Sequence, residues 1–300
     1  MITLLELAPE ILFQVIATLP VQSLLKFSQC SRYTHSLANA SLHTLKLDFG
    51  PAPNAFRLGS FSTARLLIQV PDANRYDFAT LVNLQSALLP SILTRYQEGL
   101  QHLDVSLWTL TVPMAKAISE LPALRSLSIT LVEDLHIRRL SRKYADQQRD
   151  AWQMLAQQAV WRGRLQSLKI ENTDLSMTHL SPLLSSNYSC RELRIRRCES
   201  LGEDFWTFLQ QGWNGSATLE ILELADCGCV VTEAALDAMA GMRNLKYLDL
   251  HRCSVSYAET VEQWQGRMGH VAKVKPPKSY SYLDAGILEV DPDYTSDKEE

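Results

Sequence analysis

The sequence lacks most strong signals, and each absence removes a class of protein. No apolar run reaches the roughly 18–20 residues that a membrane-spanning helix needs. The opening "MITLLELAPE" has no basic stretch and carries Glu6, which argues against a secretory signal. Neither sign of charge dominates: 29 Lys and Arg stand against 33 Asp and Glu, a net charge of −4. Bulk attraction to nucleic acid or to an acidic membrane is therefore not expected. Six cysteines in 300 residues are sparse, and no C-x-x-C occurs, so reduced thiols and no metal site are expected. G-x-S-x-G, H-E-x-x-H, the P-loop and G-x-G-x-x-G are all missing, and the seven histidines are scattered. No catalytic residues and no cofactor are expected.

Leucine at a fixed spacing is what the chain does have. "LQHLDVS", "LRSLSI", "LQSLKIEN", "CRELRIRRC", "LEILELADC" and "LKYLDLHRC" share the form L-x-x-L-x-L, and the last four end on Asn172, Cys198, Cys227 and Cys253. The middle residues Leu103, Leu127, Leu168, Leu193, Leu222 and Leu248 are separated by 24, 41, 25, 29 and 26 residues. Four of these intervals are close to the leucine-rich-repeat period. The L-x-L core reads as a short strand with alternate side chains inward. Asparagine ends such a strand by bonding to backbone, and cysteine serves as a small buried plug. Between the strands lie helical stretches such as "VPMAKAISEL", "EDFWTFLQQGW", "YAETVEQWQGRM" and "TEAALDAMAG". In the last, Thr232 suits an N-cap and Gly241 a helix end. Units of strand, turn and helix cannot bury their faces alone, so they stack into a curved solenoid.

The expected class is thus α/β: a small helical opening over 1–40, irregular opening repeats over 41–99, repeats over 100–270, and an extension over 271–300. In the 41–99 region "SLHTLKLDF" and "ARLLIQVP" read as strands, and "TLVNLQSALLPSILTRYQ" as a helix interrupted or kinked at Pro90. The long interval holds a helical insertion near 133–162, basic at its start through Arg138, Arg139, Arg142 and Lys143. A nuclear import signal or a phosphosite at Ser141 could be read there, but a solvated face of a convex helix is the simpler account. The acidic end "DPDYTSDKEE" has the composition of a disordered tail.

Strand alternation points the residues between the buried leucines toward the concave face. Those singled out for substrate contact are Lys169, Glu192, Arg194, Arg196, Glu223, Tyr247, Asp249 and His251. The basic members could receive an acidic or phosphorylated segment. The same charges could instead pair across strands.

The opening itself has Leu7, Ile11, Leu12, Val15, Ile16 and Leu19 at helical spacing. Pro9 suits a first helical turn, and Pro20 ends one helix before Leu24, Leu25 and Phe27 begin another. Ser31 suits the cap of a third. Three helices in about 35 residues carry more apolar side chains than so small a bundle can bury. The stretch from Leu7 through Cys30-Ser31-Arg32-Tyr33 resembles an F-box, with the first proline directly before Glu10 as its one departure. An F-box followed by leucine-rich repeats resembles the substrate receptors of Skp/cullin/F-box ubiquitin ligases. The resemblance implies docking on a Skp-family adaptor, and through it on a cullin and a RING subunit, with an unknown protein substrate held by the repeats. By motif position, Leu7, Pro9, Ile11, Leu12, Val15, Leu19, Pro20, Leu24, Leu25 and Phe27 would form or support the adaptor face. It also implies a non-catalytic subunit working in the cytoplasm or nucleus. The alternative is a leucine-rich-repeat interaction protein, adaptor-bound or free, with no role in degradation.

Overall fold

The computed structural model describes residues 8, 11–12, 15–16, 19, 21–51, 66–70, 75–132, 142–255, 266, 268–275 and 277. Leu7, Pro9, Pro20, Arg138, Arg139, Ser141, the "YAETVEQWQGRM" stretch apart from Gly266 and Met268, and the acidic end lie outside them.

Helical turns at Ile11–Leu12 and Val15–Ile16 are followed by α1 (Val21–Ser28) and α2 (Arg32–Ser41). Ser31 caps α2 in a reciprocal pair with Thr34: each side chain satisfies the other's backbone N–H. Leu12, Ile16, Leu24 and Leu37 are buried at the centre of these helices. They form one continuous core with Leu42, Leu45 and the strands beyond. Only Leu42 and His43 separate α2 from the first strand.

Among the described residues nine strands make one sheet: β1 (Thr44–Pro51), β2 (Leu66–Val70), β3 (His102–Leu107), β4 (Ser126–Leu131), β5 (Ser167–Glu171), β6 (Glu192–Arg196), β7 (Ile221–Ala225), β9 (Tyr247–Asp249) and β11 (Lys273–Lys275). A separate pair joins β8 (Val230–Val231) to β10 (Ser254–Val255). Every pairing is parallel, and from β3 onward the strands follow chain order. The opening reverses once, because β2 lies outside β1 at the sheet edge.

The register aligns the repeats residue for residue. Leu45, Leu103, Leu127, Leu168, Leu193, Leu222, Leu248 and Val274 stand opposite one another in turn. Leu47, Val105, Ile129, Ile170, Ile195 and Leu224 make a second row. All but Val274, which is partly buried, are at most 2% exposed. Burying a side chain of this size contributes about 1.5–3 kcal/mol, so these two rows dominate the stability of the array. Entry into each strand is also uniform. The carbonyls of His43, Gln101, Arg125, Gln166, Arg191 and Glu220 each accept two N–H groups from the start of the next strand.

The helical layer is α3 (Phe78–Tyr96), α4 (Val112–Ser119), α5 (Arg142–Gln158), α6 (Met177–Leu184), α7 (Asp204–Thr207, widening into a π turn over Phe208–Gly212) and α8 (Glu233–Ala240). Neighbours in chain order pack together from α3 to α6, and again from α7 to α8. Of the interruption or kink expected at Pro90, the interruption does not occur: α3 runs continuously from Phe78 to Tyr96. The long interval is absorbed by α5, which buries Ala151, Trp152 and Leu155 between α4 and α6 while β4 and β5 still pair. Thr232 caps α8 as expected, accepting from the Ala235 N–H, and Gly241 ends it.

Two details depart from the leucine pattern. Asn172 stands two residues after Ile170, whereas Cys198, Cys227 and Cys253 stand three after Ile195, Leu224 and Leu250. The plug position in that repeat is Thr173, and Asn172 instead matches Arg197, Asp226 and Arg252. These four share a left-handed backbone, with φ of 61°, 51°, 54° and 60°. Asparagine and aspartate tolerate this conformation; the two arginines adopt it at a cost of about 1–2 kcal/mol. Asn172 still reaches back to donate to the Leu131 carbonyl at 2.8 Å. The array also continues past the expected limit at 270, because β11 pairs with β9. Its sequence "KVK" has one apolar residue and no preceding leucine frame, so the pattern does not announce it.

Candidate functional site

The first candidate surface is on the N-terminal helices. Ile11 and Val15 lie one helical turn apart and are 50% and 38% exposed, while Leu12 and Ile16 on the adjacent face are buried. Leu24 is buried, and Leu19, Leu25 and Phe27 are half-buried. The ten motif positions thus separate by location. Ile11 and Val15 present the apolar surface, Leu12 and Leu24 support it from the core, and Leu19, Leu25 and Phe27 lie between. Leu7, Pro9 and Pro20 are outside the described residues. Tyr33, the last residue of the motif and 50% exposed at the start of α2, adds a further apolar group beyond the ten positions named for the adaptor face.

The second candidate surface is the concave sheet. Lys169, Arg194, Glu223, Asp249 and Lys275 occupy one row across five strands. Ser167, Glu192, Ile221, Tyr247 and Lys273 occupy the row beside it. Cations and carboxylates interleave. Arg194 donates to Glu192 at 2.5 Å and to Glu223 at 2.9 Å, and Arg196 also binds Glu223. Lys169 lies 3.4 Å from Glu192, which accepts from Ser167 as well. Lys275 and the Tyr247 hydroxyl both donate to Asp249, at 2.7 and 2.9 Å. Arg194, Lys273 and Lys275 surround the Tyr247 ring at 5.9, 5.6 and 5.7 Å from its centroid. His251 is half-buried and gives its backbone N–H to Asp249.

The expected basic centre is therefore neutralised from within. Glu223 is 1% exposed and is shared by two arginines, which is how a carboxylate survives burial there. Burial works to raise the Glu192 pKa, but the hydrogen bonds from Ser167 and Arg194 and the charge of Lys169 hold it below the usual value. Asp249 behaves alike: burial opposes, while Lys275, the His251 N–H and Tyr247 prevail and lower it. Lys275 is raised by the same contact with Asp249. A phosphorylated segment would have to displace these carboxylates to reach the arginines. Lys273 and Lys275 escaped the sequence reading because β11 did.

Beside this charged half, the sheet is lined by small hydroxyls. Ser106, Ser126, Ser128 and Thr130 lie on β3 and β4 in the rows that continue to Ser167, Lys169 and Glu171. They are half-buried, and their side chains make no hydrogen bond among the described residues. The result is a trough with unspent donors and acceptors, walled on one side by the Lys169–Glu192–Arg194 network. It can hold a polypeptide by hydrogen bonds and charge pairs. Among the described residues no group of three or more His, Cys, Asp or Glu side chains is placed to hold a metal ion, and no helix is long and apolar enough to cross a membrane.

Residues 4–43 match the F-box domain. The chain carries an F-box domain at its N-terminus, followed by a leucine-rich-repeat region with a parallel sheet. Among solved structures, an internalin from Listeria monocytogenes is similar at 16% identity and a TM-score of 0.38, covering 72% of this chain. This chain spans 66% of that internalin's length. The repeat assignment rests on the register and buried rows of this chain itself. No curated protein matches the chain.

Proposed function

We propose that this chain is the substrate-recognition subunit of a Skp/cullin/F-box ubiquitin ligase. The F-box would engage a Skp-family adaptor through the face around Ile11 and Val15, and the concave sheet would hold a protein substrate. The observation that carries this reading is the continuity between the two parts. The helices of the F-box and the first strands share one apolar core. The joint is braced by the His43 carbonyl, which accepts from Gln101 and His102, and by Arg95 bonded to the His35 ring. A receptor of this kind supplies proximity, so a rigid joint between its two docking faces is what the task requires. The work would be non-catalytic and would take place in the cytoplasm or nucleus.

The substrate surface we favour is the hydroxyl trough together with Lys169, Glu192, Arg194, Arg196, Glu223, Tyr247, Asp249 and His251. The test is co-purification of the full chain from cells with a Skp-family adaptor and cullin, followed by mass spectrometry of the remaining proteins. Adaptor with cullin and a set of ubiquitinated clients is the expected result. The Ser126→Arg/Ser128→Arg variant should retain the adaptor and lose the clients. Adaptor without cullin would overturn the ligase assignment in favour of a non-degradative interaction protein.

A further inference from the structure

Cys229 stands outside the repeat pattern. Cys198, Cys227 and Cys253 are the plugs of successive repeats; Cys229 comes two residues after one of them and is also fully buried. The detour that brings it there passes through Gly228. The Gly228 N–H donates to the Cys198 carbonyl at 3.3 Å, and a Cβ at this position would come to 2.0 Å from the Glu199 carbonyl oxygen. Only glycine fits so close to another backbone. Beyond it the chain enters β8, where Val230 lies opposite Ser254 and Val231 opposite Val255. One step back in the same parallel register, Cys229 faces Cys253. Paired strands lie about 4.8 Å apart. That lies within the roughly 4.4–6.8 Å separation of Cα atoms that a disulfide spans. Both side chains turn inward, at 0% and 3% exposure, and the Cys253 thiol donates to the Leu224 carbonyl at 2.8 Å.

We propose that Cys229 and Cys253 form an oxidation site that closes into a disulfide between the repeats of β7 and β9. With hydrogen peroxide as oxidant, one sulfur attacks the O–O bond, takes one oxygen as a sulfenic acid and releases water. The second sulfur then displaces the hydroxyl of the sulfenic acid as another water, so two thiols lose two protons and two electrons and the S–S bond forms. Cys253 is suited to the first step and Cys229 to the second. The neighbouring Cys229 thiol holds the Cys253 thiol below its ordinary value, while Cys253 and burial raise Cys229. The other thiols are held apart from this chemistry. Burial pushes Cys198 up to about 12 and raises Cys227 as well. The bond would enclose α8 and β9, and so brace the strand that carries Tyr247 and Asp249.

The test treats the full chain with hydrogen peroxide, quenches by alkylation in denaturant, and maps linked peptides by mass spectrometry. The exposed thiol of Cys30 serves as the internal standard for dose. Expected are a Cys229–Cys253 link that dithiothreitol reverses, its retention in Cys227→Ala, and a rise in unfolding temperature of roughly 5 °C. In Cys229→Ala the link should vanish and Cys253 should be trapped by dimedone as a sulfenic acid. If that variant does not fold, the wild-type and Cys227→Ala maps decide alone. Both thiols alkylated at a dose that consumes Cys30, or a link from Cys253 to Cys227, would overturn the proposal.

Discussion

Replacing both Ile11 and Val15 with alanine separates docking from folding. Fully burying a residue of this kind contributes about 1.5–3 kcal/mol. Ile11 still exposes 50% of its surface and Val15 38%, so covering the remainder should contribute about 2 kcal/mol in all. Losing it weakens adaptor binding by about 30-fold. The fold should not notice, since neither side chain fills the core. Leu12→Ala is the opposite case. Leu12 is completely buried, and truncation there costs about 2–5 kcal/mol of stability through lost contacts and a cavity. The assay is calorimetric titration of a purified Skp-family adaptor into each variant, alongside its thermal unfolding curve. Ile11→Ala/Val15→Ala should bind weakly and melt normally, and Leu12→Ala should melt early. Adaptor affinity within twofold of the parent in the double variant, with an unchanged melt, would refute the assignment of this face.

Three further outcomes follow from contacts already described or adjoining them. Cys227→Ser should lower stability by about 1 kcal/mol, because a hydroxyl replaces a thiol in an apolar plug, and should leave adaptor titrations unchanged. Asn187, fully buried, donates to the Arg162 and Leu165 carbonyls and accepts from the Ser189 and Cys190 N–H groups. Asn187→Ala strands four backbone groups and should cost about 3–5 kcal/mol in denaturant unfolding; a loss under about 1 kcal/mol would mean that water replaces the amide. Glu192 and Asp249 have folded pKa values below their ordinary 4.5 and 3.8. Their stabilisation is therefore complete above those ordinary values and is lost as pH falls through the lowered ones. The unfolding temperature should drop as pH falls below the ordinary 4.5 and 3.8, and Glu192→Gln/Asp249→Asn should flatten that profile; an equally steep drop in the variant would exclude these carboxylates as its source.

Leucine spacing alone determined the architecture, because burial in a stacked array imposes the same demand on every copy. Leu103, Leu127, Leu168, Leu193, Leu222 and Leu248 needed no coordinates to be placed in one row. The helix caps at Ser31 and Thr232 were legible for a similar reason, since a cap is a contact between residues three apart. The alternation that turns Lys169, Arg194 and Glu223 toward the concave face was equally local. What the face does with its charge was not. Whether Arg194 and Arg196 offer free positive charge depends on Glu192 and Glu223 reaching them at bonding distance, and side-chain reach across strands is decided only by tertiary packing. The same holds for the N-terminal helices, where a periodic pattern marks Ile11, Leu12, Val15 and Ile16 alike. Only packing into the shared core determines which pair is inside. Lys275 and the Cys229–Cys253 pair were out of reach for one further reason. Their positions follow from pairing between strands far apart in the chain, β11 with β9 and β8 with β10, which no spacing within either strand encodes.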